Sequence, residues 1–254
     1  MYFTAEALDD LHQGVEELHD QFAALRERYV LRQFQDAGAR EHADHGFGRR
    51  LSTLVRCVDR VFEILPPDRA DIPTRDETVD ATINIQSFVM NAFGCCENLA
   101  WIWVLERGVV QPNGAALPAG RVGLGAAYQS VRESFSPVFR GYLDGREPWF
   151  AHLKDFRDAL AHRIPLYIPP HTVAPEDGAQ YQALGQAAHT ALLHGDLDAE
   201  VNLKAEQMAL ARFQPIMTHS LAAAAGVVVF HPQLLADFAT INELACAFLE
   251  ELDR

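Results

Sequence analysis

The stretch 78–106, TVDATINIQSFVMNAFGCCENLAWIWVLE, carries no proline and is apolar on most sides of a helical projection. As a single helix it is roughly 40 Å long at 1.5 Å per residue. A helix of that length and character has to be wrapped on most of its circumference, so the rest of the chain must supply its packing partners. Gly94 lowers the local helix propensity and permits a neighbour to approach closely. Arg107 and Gly108 make a suitable end. Asn91, Glu97 and Asn98 interrupt the apolar text, and buried groups of this kind need partners. Glu97 is the natural mate for an arginine at a core edge, so a contact from Glu97 or Asn98 to Arg157 or Arg163 is expected, either as interhelical glue or as support for a site. Trp101 and Trp103 read as core or interface anchors before they read as a stacking platform for bases.

Wrapping elements are visible on both sides. Leu8, Leu11, Val15, Leu18, Phe22, Leu25 and Tyr29 follow a three-four spacing behind a Thr4 cap, which predicts a long first helix. The text DAGAREHADHGFG interrupts this pattern, and a second helix is predicted over about Arg49 to Leu65, ended by Pro66 and Pro67. Residues 66–77 read as a loop. Beyond the long helix, VVQPNGAALPAGRVG is turn material, LGAAYQSVRESFSPVFRGYL reads as a fourth helix bent at Pro137, and EPWFAHLKDFRDALAHRI as a fifth. PLYIPPHTVAPEDGA is too proline-rich for a helix. Residues 178–212 are helical with a break near His194 to Asp196.

RFQPIMTHS and GVVVFHP are the best strand candidates, and they predict a small hairpin turning around Ala222 to Gly226. A terminal helix follows, with Leu234, Leu235, Phe238, Ile241, Leu244 and Phe248 at helical spacing. The fold class is therefore all-α, a helical bundle with a minor C-terminal β-hairpin. Its divisions are a core at 71–168, an N-terminal helical extension at 1–70 and a C-terminal helical extension at 169–254.

The balance of 35 Asp+Glu against 21 Lys+Arg gives a formal charge of −14, which offers no broad electrostatic footprint for DNA or RNA. Contact with a nucleic acid would have to be local. Four cysteines, two of them adjacent as Cys95 and Cys96, match neither a disulfide framework nor a zinc spacing, and core filling in a reducing compartment is the simpler reading. The acidic start lacks the basic end and apolar core of a signal peptide, and no run is expected to serve as a membrane span. The chain reads as cytoplasmic.

The stretch FRDALAHRIPLY, residues 156–167, concentrates polar chemistry on the fifth helix. Trp149, Leu153, Phe156, Leu160 and Ile164 cluster on its core side, with Arg157 at their flank. Asp158 and His162 stand one turn apart on nearly the opposite side, beside the small or acidic Ala151 and Asp155. Pro165 stops regular helix by about Ile164, which puts His162 in the last turn, where the unpaired carbonyls favour a positive charge. A histidine so placed can carry a proton for phosphate chemistry, and a nearby arginine offers a two-pronged donor to the same phosphate. The plainer alternative is a surface pair of Asp158 and His162 worth about 0.2–0.5 kcal/mol, with Arg157 reaching out from the core edge.

Arg157, Asp158 and His162, as RDALAH near the end of a helix, resemble the R-x(4–6)-H motif of the HEPN family. The AHRIPLY continuation and the preceding NAFGCCENLAWIW are similar to a poorly characterised bacterial branch of it. The resemblance covers roughly residues 78–168. It implies a helical bundle, usually dimeric, and either a metal-independent ribonuclease or a non-catalytic binding module for a nucleotide, a ligand or a protein. On that resemblance Arg157 and His162 form the catalytic pair, Asp158 is the intervening polar residue, and Glu97, Asn98 and Arg163 support them. It also implies a homodimer with the face of Ala151, Asp158 and His162 near its two-fold axis, RNA or a nucleotide phosphate as ligand, and an antitoxin-like or regulatory protein as a further partner.

No cofactor is implied. His42 with His45, and His189 with His194, lack a second clustered pair and do not make a metal site. GRVGLG at Gly120 to Gly125 has no strand before it, so a nucleotide loop is not indicated.

Overall fold

The computed structural model describes residues 2–220 and 226–254 and is a helical bundle with small antiparallel strand pairs near the C-terminus. Its axis is α4 (Arg75–Glu106), the predicted long helix. That helix starts three residues earlier than its apolar text, because Thr74 and Glu77 form a reciprocal capping box. Hydrogen bonds from Arg69 and then from Thr74 pull the Glu77 carboxyl down to about 2. An 18-residue window of α4 reaches a mean hydropathy of 1.3, which corrects the expectation that no run is long and apolar enough to span a membrane. Two thirds of that window, 67%, is buried inside the bundle, so here its apolar character serves protein packing. Burial drives the Cys95 thiol up to about 12 and raises Cys96 as well, in keeping with their place as core filling.

Helix α1 (Ala5–Leu31) begins at Thr4, whose hydroxyl accepts from the Ala7 amide, and buries Leu11, Leu18, Leu25 and Tyr29. Tyr29 donates to the Ala245 carbonyl of the terminal helix α10 (Phe230–Leu252) at 3.2 Å. The helical pattern is interrupted over residues 32–36, but most of the text expected to interrupt it is itself helical. Asp36 caps α2 (Ala37–Glu41), a π-helical turn follows at His42–Phe47, and α3 (Gly48–Ile64) runs on directly.

The reason lies in packing rather than propensity. Ala39, Ala43, Phe47 and Leu51 recur every four residues and are all buried. A Cβ on Gly46 would lie 2.4 Å from the Asn98 amide nitrogen, so the residue that weakens the helix is the one that lets it meet α4. Gly94 does the reciprocal service on α4, where a Cβ would meet the Arg50 guanidinium at 2.4 Å.

The predicted bent fourth helix is two helices, α5 (Gln129–Arg132) and α6 (Pro137–Asp144). Ser136, extended before a proline, cannot continue α5. Its hydroxyl caps α6, while its own amide and hydroxyl donate to the buried Glu251 of α10. Pro137 therefore starts a helix instead of bending one. Helix α7 (Glu147–His162) ends as the proline rule requires. Because the chain has left helical geometry at Arg163, Ile164 is 58% exposed and not on the core face expected of it.

After α7, β1 (Thr172–Val173) pairs antiparallel with β2 (Ala211–Arg212), and between them α8 (Gly178–Leu193) and α9 (Leu197–Ala209) form a helical hairpin. The predicted hairpin strands are β3 (Ile216–Met217) and β4 (Val228–Val229), in register Ile216 to Val229 and Met217 to Val228. Of its expected turn, residues 222–225 lie outside the described residues. One hydrophobic cluster joins α1, α3, α4, α6, α7 and α10, from Leu18 to Leu252.

Candidate functional site

Helix α7 is held against α4 by Leu153, Phe156 and Ala159, all buried. At its first turns Trp149 donates to Asp237 of α10 at 2.8 Å. Burial raises the Asp237 carboxyl, opposed by that donor and by the amide of Gln233. At its far end Gln86 of α4 donates to the Leu166 carbonyl at 2.6 Å, and Tyr167 exchanges backbone hydrogen bonds with Thr218. The outward side of α7 is thus presented on a clamped helix.

On that side the Arg157 guanidinium lies 4.3 Å above the ring of Phe93 and places Nη1 2.8 Å from Asp158 Oδ1. Both side chains of the pair are about a quarter exposed, at 25% and 26%. Lys154 donates to the other Asp158 oxygen. That hydrogen bond is the main reason the Asp158 carboxyl sits below its ordinary range, with the charges of Arg157, Lys154 and His162 acting the same way. The expected pair between Asp158 and His162 is not formed, because Lys154 and Arg157 occupy both carboxylate oxygens. His162 stands exposed in the last turn, with no hydrogen bond or ion pair among the described residues. Arg163 turns back to the Asp155 carboxylate and carbonyl, and His219, from the segment after β3, approaches the other Asp155 oxygen at 3.3 Å. The Arg163 hydrogen bond leads the downward shift of Asp155.

The expected link from Glu97 or Asn98 to this cluster is corrected. Asn98 is buried, but its Oδ1 accepts from Arg50 Nε at 3.0 Å, and its amide nitrogen meets His42 Nδ1 at 3.0 Å. Asn91 Oδ1 accepts from Arg50 Nη1 at 3.2 Å. Since the Asn98 oxygen must face the guanidinium, its amide donates to His42, whose Nδ1 is then an acceptor and unprotonated. Burial lowers His42 in the same direction, and the ring stacks on Trp101 at 5.6 Å. Glu97, one residue before Asn98, points about 100° away and is exposed, with no hydrogen bond or ion pair among the described residues. Arg157 takes its carboxylate from its own helix, and Arg163 takes its from Asp155.

Sequence reasoning missed Phe93, Lys154 and His219 as members of the neighbourhood. Lys154 had a readable signal, since it lies one turn before Asp158 on the same face. Phe93 and His219 had none, because both come from other parts of the chain. Among the described residues no three of His, Cys, Asp and Glu gather as a bound metal ion would need. His42 and His45 have separate contacts, the latter with Arg49. Comparison with protein-family profiles, with curated proteins and with solved structures finds no match for the chain.

Proposed function

We propose that the chain is a cytoplasmic HEPN-like module whose Arg157, Asp158 and His162 form a phosphate-directed site, and that it cleaves RNA without a metal as a homodimer. The observation that carries this reading is the contrast within the trio. Arg157 is oriented by Phe93 and Asp158 while still partly open, and His162 is exposed and uncommitted in the last helical turn. An arginine held in a fixed plane offers parallel donors to a phosphate, and a free imidazole moves protons.

In the reaction the RNA 2′-hydroxyl loses its proton to a base and its oxygen attacks the adjacent phosphorus. The 5′ oxygen leaves with a proton from an acid, and a cyclic phosphate remains. His162 performs the proton transfer, and Arg157 stabilises the charge that builds on the phosphate oxygens. Five residues at 100° each set Arg157 and His162 about 140° apart on their helix, so a second copy completes the site.

A second reading is favoured by the ion pair of Arg157 with Asp158, which a phosphate has to share. In it the same residues bind a nucleotide without cutting. Incubation of a single-stranded RNA pool with excess chelator separates the two. Cleavage lost in His162→Ala and in Arg157→Ala supports the nuclease, and saturable nucleotide binding without cleavage supports the binding module. Equal cleavage by wild type and both variants removes the nuclease reading, and a monomer by light scattering removes the shared site.

A further inference from the structure

N-terminal to the trio, α4, the first turns of α7 and the 122–128 loop enclose a cavity of about 260 Å³ that the proposed cleavage does not use. Phe93, Phe150 and Tyr128 give it aromatic walls, and Glu97, Glu147 and Lys154 are its ionisable groups. Its rim is built rather than incidental. Buried Arg132 donates to the Leu124 carbonyl at 2.9 Å, pairs with Asp144 and stands 3.5 Å from Glu147 Oε1, tying the loop to the start of α7. A Cβ on Gly123 would lie 2.4 Å from the Tyr128 ring, so glycine is what lets that ring lie across the loop. One acceptor is left over. Glu97 makes no hydrogen bond or ion pair among the described residues, whereas Glu147 Oε1, buried without a hydrogen bond, is ion-paired with Arg132. Lys154 donates one N–H to Asp158 and, with three donors on its ammonium, has others to offer.

We propose that this cavity is a base-recognition subsite for guanine, an inference that rests on reading the neighbouring trio as an RNA phosphate site. Flat aromatic walls accept the face of a base. A carboxylate only accepts, and guanine alone among the four RNA bases places two adjacent donors, N1–H and N2–H, on its pairing edge. Adenine and cytosine put an acceptor beside their donor, and uracil has a single donor between two carbonyls. Glu97 takes the guanine donors, and Lys154 supplies a donor to O6. The volume is below the ~300–1,000 Å³ of sites for larger ligands, which fits one base. Glu147, Phe150, Ala151 and Lys154 occupy one face of α7, which continues through Asp158 to His162. Base and phosphate would lie along that helix, with Lys154 roughly 12 Å from His162 at 1.5 Å per residue.

Calorimetric titration with nucleosides, which carry no phosphate, tests the subsite apart from the trio. Guanosine is expected to bind saturably, with adenosine, cytidine and uridine at least about tenfold weaker. Glu97→Ala, a change at an exposed position, should weaken guanosine at least about tenfold, and Ala151→Trp should block it. His162→Ala should leave guanosine binding as in wild type. No guanosine binding, equal binding of all four nucleosides, or full affinity in Glu97→Ala overturns the proposal. If guanosine selectivity holds while no RNA is cut, the subsite stands and the cleavage reading falls. If RNA is cut through His162 with no nucleoside preference, the subsite alone falls.

Discussion

Two arginines lie against the same helix, and their surroundings differ in kind. Arg50 reaches from α3 across Gly94 and is bonded by the amides of Asn91 and Asn98, with no carboxylate among the described residues. Arg157 lies on the neighbouring residue, Phe93, from α7 and is bonded by a carboxylate that it shares with Lys154. The first arrangement fills a groove, since Gly94 and Gly46 have no side chains at the points where Arg50 and Asn98 enter. The second stands over an aromatic ring with water on one side. Proximity to an apolar helix therefore does not identify a working arginine. What separates the two is the kind of partner: amide oxygens of α4 hold Arg50, and a carboxylate of its own helix, shared with Lys154, holds Arg157.

The largest expected effect falls on the Arg157 side. His162→Ala should lower metal-free RNA cleavage at least about 100-fold, the low end for a positioned acid or base, with a nearly unchanged urea midpoint because the exposed ring makes no hydrogen bond or ion pair among the described residues. A shifted midpoint would show that His162 holds structure and would erase the contrast. Next is Arg50→Ala, which strips the donor from the buried Asn98 carbonyl and should cost about 1–3 kcal/mol of stability by urea denaturation. Cleavage per folded molecule should stay at the wild-type level, and a selective loss of activity would move the site to α3.

Arg157→Ala should behave in the opposite way. It removes a partly exposed ion pair and a ring contact, together about 1 kcal/mol of stability, while cleavage falls steeply. The smallest effect is a difference in acid sensitivity. Folding favours neutral His42, which must accept from Asn98, so the contribution of that network is complete above the ordinary value of 6.5 and is lost as the pH falls below it. Asp158 is held below its ordinary 3.8, so its contribution persists above that value and is lost only as the pH falls through the lower native one. By NMR, the Asn98 amide should move first on acidification and the Arg157 guanidinium protons last. Simultaneous movement would join the two regions into one network.

Much of this was legible beforehand. The helix-spaced leucines and Tyr29 with Thr4, the proline-stopped α7 with His162 in its last turn, and the β3 and β4 segments all follow from periodicity, capping and backbone rules that act within a few residues. Two failures share one cause, partners supplied by other elements. The stretch from Asp36 to Gly48 read as an interruption of the apolar spacing, yet Gly38 and Gly46 are small where Leu105 and Asn98 of α4 approach. Asn98 was assigned to the wrong arginine because helical projection says only which side a residue is on.

Residue order by itself determined where α1, α3, α4, α7 and α10 run, that α4 must lie at the centre, and that Arg157, Asp158 and His162 share the end of one helix. These are consequences of local geometry, which repeats every 3.6 residues and ends at a proline. Tertiary structure decided which arginine the α4 amides hold, that Lys154 and not His162 bonds Asp158, and that Glu97 faces a cavity without a partner. The physical reason is that a hydrogen bond extends only about 3 Å. Which groups come within that reach depends on how α3, α7 and the 122–128 loop are set around α4.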